Sequence, residues 1–212
     1  MNQIPSLANV MEQEMLLHKS VLVRALHNSR LTEVPSHFSI IPMSDTEFRQ
    51  LHIHYNEANT PIGTVLLAST GKGICFTGFI GNCPVDAWLD LQRRFPKATF
   101  SNKTDTFQET ALSYITQPHG NTRPLPFHLR GTAFQLGIWQ RLLQIPFGAL
   151  TTYSDIGESK LMARATGTAV GANPVSYFIP CHRVIRSNGE FHGYFWGLDI
   201  KRRLLQFESL HK

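Results

Sequence analysis

The sequence predicts a two-domain α/β protein in which a sheet with helices precedes a mostly helical region. Three observations support this. The 212 residues exceed a typical single domain. Hydrophobic residues make up 42% and charged residues 17%, as in globular rather than disordered or fibrous proteins. Residues alternate between apolar and polar in the first half, whereas runs of helical length dominate the second. We predict domains at 48–126 and 127–212, after an extension at 1–47.

The extension contains one candidate helix. Apolar residues between Met11 and Ala25 fit one helical face through about residue 27, and a polar stretch with Ser and Pro follows. No chemistry is visible there. We favour a docking helix over a functional element.

The first domain begins with a three-stranded antiparallel meander. Leu51, Ile53 and Tyr55 alternate with polar neighbours, and two turns containing glycine separate two further apolar runs. The meander is predicted at 51–56, 64–68 and 74–79, with helices following at 84–95 and 106–114. His52 and His54 share a strand face, but no third metal ligand stands at useful spacing, so we interpret them as solvent-facing residues.

Three cysteines, Cys75, Cys83 and Cys181, are too few for a disulfide framework, and none belongs to a CxxC zinc motif. We interpret Cys75 as a buried strand residue and Cys83 as a loop residue. The sequence shows neither a secretory signal nor an apolar run long enough to span a bilayer. We therefore expect a reducing, cytoplasmic location and no bound metal.

The positive charge is concentrated in the second half. The formal net charge is +5, and residues 127–212 hold ten basic and five acidic side chains, whereas residues 1–126 hold ten of each. Such asymmetry is compatible with a polyanionic partner for the second half, and equally with a solvated basic face.

The second domain begins with a helix over about 133–143, for which Thr132 is the candidate N-cap. A helical pair follows from Thr151. Residues 163–172 have helical length but are nearly all small, with Arg164 as the one long side chain. This organisation indicates a helix-turn-helix, whose small residues permit close approach to a flat partner. Tight helix–helix packing explains the small residues equally well.

The sequence around Cys181 carries the chemistry. An apolar approach precedes Pro180 and Cys181, and His182 stands next to the cysteine as a candidate base. Glu208 lies late in a helix predicted over 199–208, from which its carboxylate would orient the histidine. An acid, a histidine and a thiol form an arrangement that activates nucleophiles.

These motifs resemble the O6-alkylguanine-DNA alkyltransferase family, most closely the methyltransferase half of its bacterial adaptive-response members. The similarity covers roughly residues 48–210, and the Pro-Cys-His-Arg-Val core is highly specific. The matching segments are Gly73–Phe76, Leu91–Pro96, Arg130–Gln135, Ile138-Trp139, Ile145–Gly148, Tyr153, Ala163–Ala165, Asn173-Pro174, Ile179–Val184, Gly193–Gly197 and Lys201–Glu208.

The resemblance implies DNA repair by direct reversal. An alkyl group, mainly methyl, passes from O6 of guanine, and by expectation O4 of thymine, irreversibly onto Cys181, once per molecule. His182 would remove the thiol proton through a water, and Glu208 would orient His182. Asn173 would fix the turn that presents the cysteine, and Tyr153 would hydrogen-bond the guanine ring.

The resemblance also implies how DNA is held. Arg164 would enter the duplex and replace an everted nucleotide, as base chemistry on stacked DNA requires flipping. The neighbouring contacts would be Ala163, Ala165, Thr166 and Ala169, and the base pocket would be bordered by Val184, Tyr194, Phe195 and Trp196. Double-stranded DNA is the expected partner of a monomer, and no cofactor is implied.

The implied architecture is a ribonuclease-H-like N-terminal domain followed by a winged-helix-like domain. Three departures from the family stand out. The segment between Tyr153 and Arg164 is about three residues short. Phe195 occupies a loop position that is more often polar and His192 one that is usually small, and together with Trp196 they predict a preference for methyl over larger groups. The extension also lacks the cysteines that phosphotriester repair requires.

Three other functions remain open from the residues alone. A non-catalytic damage-binding protein would lack the cysteine, and a transcriptional regulator would need an effector site or a dimer interface. A thiol hydrolase would form more product than there is protein.

Overall fold

The computed structural model describes residues 30–81, 83–191 and 193–211. The helix predicted before residue 27, and His192, lie outside the described residues. Within the described part of the chain, no helix is long and apolar enough to cross a membrane.

A six-stranded mixed sheet forms the first half of the structure. Its strands are β1 Phe38–Pro42, β2 His52–Thr60, β3 Gly63–Thr70, β4 Gly73–Phe79, β5 Thr99–Asn102 and β6 Leu125–Leu129, in the spatial order β1-β6-β4-β3-β2-β5. The predicted meander is confirmed as β2, β3 and β4, which pair antiparallel. Burial explains the apolar runs of the meander: every residue of β4, for example, is buried.

The prediction of a three-stranded sheet is incomplete, because three more strands join it by parallel pairing: β6 pairs with β4, β1 with β6, and β5 with β2. The segment that forms β1 was assigned to the extension predicted at 1–47. These strands have only four or five residues, and their partners lie far away in sequence. No local turn signal marks such pairs.

Three helices accompany the sheet: α1 Asp45–Phe48, α2 Ala87–Arg94 and α3 Thr106–Thr116. The predictions at 84–95 and 106–114 are confirmed. Each of the two longer helices begins at an aspartate, Asp86 or Asp105, whose carboxylate accepts a hydrogen bond from a backbone N–H of the first turn.

The second half is mostly helical, as predicted. It contains α4 Ala133–Leu142, α5 Tyr153–Ile156, α6 Ala163–Gly171, a 3₁₀ turn at Cys181–Arg183, and α7 Leu198–Leu210. Thr132 caps α4 as expected, with Gln135 completing a capping box. Two short strands, β7 Thr151–Thr152 and β8 Val184–Ile185, pair parallel and bring the start of α5 beside the chain that follows Cys181.

The sheet supports the segment that leads to Cys181. The Thr77 N–H donates to the Pro174 carbonyl at 3.0 Å, and the Ser176 N–H donates to the Thr77 carbonyl at 3.2 Å. Strand β4 pairs with β6 at one position, Ile74 with Phe127. Further along β4, Thr77 pairs with Val175 instead, so residues 174–176 take the place of β6 beside it. Most buried hydrophobic side chains of both halves form one large cluster, and Leu150, Ile185 and Leu205 form a second, small one.

Candidate active site

Cys181 lies at the start of the 3₁₀ turn, directly after Pro180, and is 7% exposed. Its side chain contributes to the wall of a cavity of about 950 Å³. The approach to it is unusual, because Tyr177 has φ +73°, a conformation that costs free energy in a bulky residue. The Tyr177 ring lies parallel to that of His182, with centroids 6.3 Å apart.

Asn173 holds the thiol directly. Its Nδ2 donates to Cys181 Sγ at 3.2 Å and to the Ile179 carbonyl at 2.8 Å, while its Oδ1 accepts from the Val175 N–H at 3.0 Å. Burial raises the pKa of Cys181, and the hydrogen bond from Asn173 opposes that effect. The resting thiol is therefore neutral, and a base is needed to ionise it.

His182 and Glu208 form the buried pair expected from the sequence. His182 Nε2 lies 2.7 Å from Glu208 Oε1, and both side chains are fully buried. Burial lowers the pKa of His182, although Glu208 acts to raise it, so the imidazole is neutral at pH 7. Because the ionised carboxylate can only accept, Nε2 carries the hydrogen and Nδ1 is unprotonated. Nδ1 is buried and has no hydrogen-bond partner among the described residues.

Arg183 is a site residue whose pairing with Glu208 the sequence did not predict. Its Nε lies 2.9 Å from Glu208 Oε2, its Nη2 lies 2.8 Å from Oε1, and its Nη1 donates to the Ile145 carbonyl at 2.6 Å. Burial alone would raise the pKa of Glu208, but Arg183 and then His182 outweigh it and lower that pKa to about 2. Arg183 thus keeps Glu208 ionised beside His182.

The cavity brings together several predicted residues from distant parts of the chain. Tyr153 and Arg164 line it from α5 and α6, and Tyr194 and Phe195 line it from the loop before α7. The Tyr194 hydroxyl is 4.0 Å from Cys181 Sγ. Burial raises the pKa of Tyr153, so its hydroxyl keeps its proton.

Three further residues, Arg186, Ser187 and Asn188, line the cavity and were missed. They belong to a tight turn after β8, in which the Gly189 N–H donates to the Arg186 carbonyl at 2.9 Å. The Asn188-Gly189 dipeptide is a turn signal that predicts such a loop. Nothing in the sequence alone places that loop over the cysteine.

Two residues expected at the pocket stand behind its wall instead. Val184 is fully buried in β8, where its carbonyl accepts from Lys201 Nζ at 2.7 Å. Trp196 is 2% exposed, its Nε1 donates to Ser176 Oγ at 2.7 Å, and its ring packs against Phe76 and Phe79. Both side chains therefore shape the cavity only through their neighbours.

Helix α6 has two distinct faces. Arg164, Ala165, Thr168 and Gly171 are exposed, and Ala163 is half-buried. Thr166 and Ala169, which were expected to contact DNA, are buried against the protein and do not belong to the exposed face of the helix.

The buried face of α6 packs closely on its neighbours. The Ala169 carbonyl accepts from Trp139 Nε1 at 2.9 Å, and a Cβ on Gly157 would come within 2.3 Å of Thr166 Oγ1. Tight packing therefore explains one face of the small-residue helix, and the other face is open to a partner.

His52 and His54 belong to a hydrogen-bonded surface group. His52 bonds to Thr99 and Ser101, and His54 Nδ1 lies 3.6 Å from a carboxylate oxygen of Asp105. In the described ranges, no three His, Cys, Asp or Glu residues are grouped to hold a metal ion.

The site and fold define a class of protein: one with a buried cysteine nucleophile, a histidine–carboxylate pair beside it, and a cavity open beneath an exposed helix face. The family described as 6-O-methylguanine DNA methyltransferase, DNA binding domain, matches residues 133–210. The inducible methylated-DNA–protein-cysteine methyltransferase of Bacillus subtilis is 37% identical over 149 residues, which cover 68% of this chain and 83% of that protein. The chain belongs to the methylated-DNA–protein-cysteine methyltransferase family.

A second curated relative and two solved structures support the same family. The bifunctional transcriptional activator/DNA repair enzyme Ada of Escherichia coli is 34% identical over 177 residues, and the match covers 79% of this chain but only about half (49%) of Ada. The Mycobacterium tuberculosis O6-methylguanine methyltransferase structure aligns with TM-score 0.61 at 29% identity, covering 76% of this chain and 94% of that one. A structure of Mycobacterium tuberculosis OGT in complex with DNA aligns with TM-score 0.59 at the same identity, covering 74% and 93%.

Proposed function

We propose that this protein repairs DNA by direct reversal, taking a methyl group from O6-alkylguanine in duplex DNA irreversibly onto Cys181. O4-alkylthymine is a second expected substrate, because it presents an alkyl group on an equivalent exocyclic oxygen. The observation that carries the proposal is the buried Cys181 thiol on a large cavity, next to a histidine that is already paired with a carboxylate. Family membership supports the same reaction.

The proton of Cys181 passes to Nδ1 of His182 through a bridging water, as Nδ1 is the unprotonated nitrogen. The imidazolium that forms is stabilised by Glu208, whose oxygen lies 2.7 Å from Nε2. Asn173 donates to the developing thiolate at 3.2 Å. A charge-assisted hydrogen bond of this kind is roughly twice as strong as a neutral one.

The thiolate sulfur then attacks the alkyl carbon in line with the C–O bond. A C–S bond forms, the C–O bond breaks, and its electron pair moves to the guanine oxygen. The ring takes up a proton, and Tyr153, which is protonated and lines the same cavity, is the proposed donor. The thioether is stable, so each molecule acts once.

Access to O6 requires the damaged nucleotide to leave the base stack. We propose that Arg164 enters the duplex in its place, because Arg164 is exposed on α6 and also lines the cavity. The exposed Ala165, Thr168 and Gly171 allow close approach to the groove. The surplus positive charge of residues 127–212 attracts the phosphates.

At a finer level, we propose that the region predicted at 48–126, together with β1 and the whole of β6 from the same sheet, corresponds to a ribonuclease-H-like domain. Residues 127–212 would form a winged-helix-like DNA-binding and acceptor domain, in which α5 and α6 are the helix-turn-helix. The turn at 186–190 between β8 and α7 has the position of a wing. Support comes from the exposed face of α6 and from the net positive charge, which lies entirely in this half.

The direct test is mass spectrometry after incubation with a duplex containing O6-methylguanine. We expect one methyl group on Cys181, none on the Cys181→Ala variant, and full transfer in a Cys83→Ala control, which removes a half-buried thiol away from the cavity. Methylation of another residue, or product in excess of protein, would contradict the proposal. Duplex binding without any transfer would favour a damage-binding protein.

A further inference from the structure

Arg94, at the end of α2, is held in one position although it lies outside the cavity of Cys181. Its Nε donates to Asp90 Oδ2 at 2.8 Å, and its Nη1 donates to the Ala172 carbonyl at 3.0 Å. The side chains of Arg94 and Asp90 are only 22% and 11% exposed. The guanidinium is therefore fixed at two points, one of them immediately after the C-terminal end of α6.

The open face of this guanidinium meets Phe195, with the central carbon 5.6 Å from the ring centroid. Phe195 lies in a tight turn, closed by a 2.9 Å hydrogen bond from the Gly197 N–H to the Tyr194 carbonyl. The same ring packs edge-to-face on Trp196, with centroids 5.0 Å apart and planes at 86°. The Phe195 ring is thus held between a fixed cation and a buried indole.

The Phe195 ring is also part of the cavity wall, together with Cys181. The ring is 37% exposed, so it is only partly packed by the protein. A cation over the ring face attracts it electrostatically and favours one position. If the ring were free to rotate, the shape of the cavity that it lines together with Cys181 would change.

We infer that Arg94 is a positioning residue that sets the size of the alkyl group accepted at Cys181, by holding Phe195 against the cavity. This inference rests on the proposed alkyl transfer. The size limit then depends on the contact between Arg94 in the sheet-containing half and Phe195 in the loop before α7, rather than on that loop alone. Because Arg94 also bonds the end of α6, the helix and the cavity wall share one anchor.

The test compares single-turnover rate constants for O6-methylguanine and O6-benzylguanine in the same duplex. We expect the Arg94→Met variant to raise the benzyl-to-methyl ratio about fivefold, the size of a modest cation–π contribution. The matched control is Arg93→Met, which removes the same charge from the exposed neighbouring position and should leave the ratio unchanged. Arg94→Lys, which keeps the charge without the planar fork, should recover part of the wild-type ratio.

A double-variant cycle separates positioning from general loosening. Phe195→Ala should itself raise the ratio, and Arg94→Met should add nothing further in that background. The inference is overturned if Arg94→Met leaves the ratio unchanged, or if its effect persists without the Phe195 ring. Either of those results, with methyl transfer to Cys181 intact, removes this inference alone. Absence of methyl transfer in the wild-type protein would remove the proposed function as well.

Discussion

Replacing Glu208 by Gln tests the buried charge cluster at the candidate site. The substitution keeps the shape of the side chain but removes the charge that faces both His182 and Arg183. A pKa lowered from its ordinary value of 4.5 to about 2 corresponds to about 3 kcal/mol of stabilisation at pH 7. The cost of breaking a buried ion pair, about 3–5 kcal/mol, has the same size.

The pH dependence has a definite sign. Since the pKa of Glu208 is lower in the folded protein, its stabilisation is complete above pH 4.5 and is lost as the pH falls from 4.5 towards about 2. The free energy of unfolding should therefore differ between wild type and Glu208→Gln by about 3 kcal/mol at pH 7. Near pH 3, roughly half of that difference should remain.

Urea unfolding at pH 7, 4.5 and 3 measures this difference. Glu57→Gln is the control, because Glu57 is an exposed carboxylate on β2 and should show only a small change at each pH. A difference below about 1 kcal/mol at pH 7, or one that does not shrink in acid, would refute the reasoning that Arg183 and His182 hold Glu208 ionised.

Three further outcomes are expected. Asn173→Ala should slow methyl transfer about 10- to 100-fold in single-turnover assays with duplex affinity unchanged, because the variant loses a hydrogen bond to the thiolate that forms during the reaction; a normal rate would contradict this. Gly78→Ala should destabilise by about 1–3 kcal/mol in thermal unfolding, because its Cβ would lie 2.7 Å from the Trp196 ring, whereas Gly71→Ala, with nothing within 4 Å, should not. Binding of unmodified duplex should weaken steeply between roughly 50 and 200 mM salt, and salt-independent binding would exclude phosphate attraction.

The chemistry of the site was predictable to the extent that it is local in sequence. Cys181 and His182 are adjacent in the sequence, and Glu208 belongs to a helix that the sequence predicts over 199–208. The pairing of His182 with Glu208 beside the cysteine could therefore be expected. The role of Arg183 was not predictable, because the geometry of the 3₁₀ turn decides whether His182, Arg183 or both reach the Glu208 carboxylate. In this structure both side chains reach it.

The division of α6 into a buried and an exposed face could also have been predicted from the sequence. Thr166, Ala169 and Val170 recur at the i, i+3, i+4 spacing of a buried helical stripe, and Arg164 and Ala165 lie on the other side. In contrast, β1, β5 and β6 carry no such pattern, since short parallel strands depend on distant partners. Their absence from the prediction reflects missing long-range information.

The burial of Cys181 has a consequence beyond the transfer step. Oxidants and unrelated electrophiles attack thiolates, and burial keeps this sulfur both protonated and 7% exposed. A cysteine that peroxide oxidises as far as the sulfinic or sulfonic acid is permanently lost as an alkyl acceptor. Hiding the sulfur until a nucleotide fills the cavity preserves the single equivalent of reagent that each molecule carries.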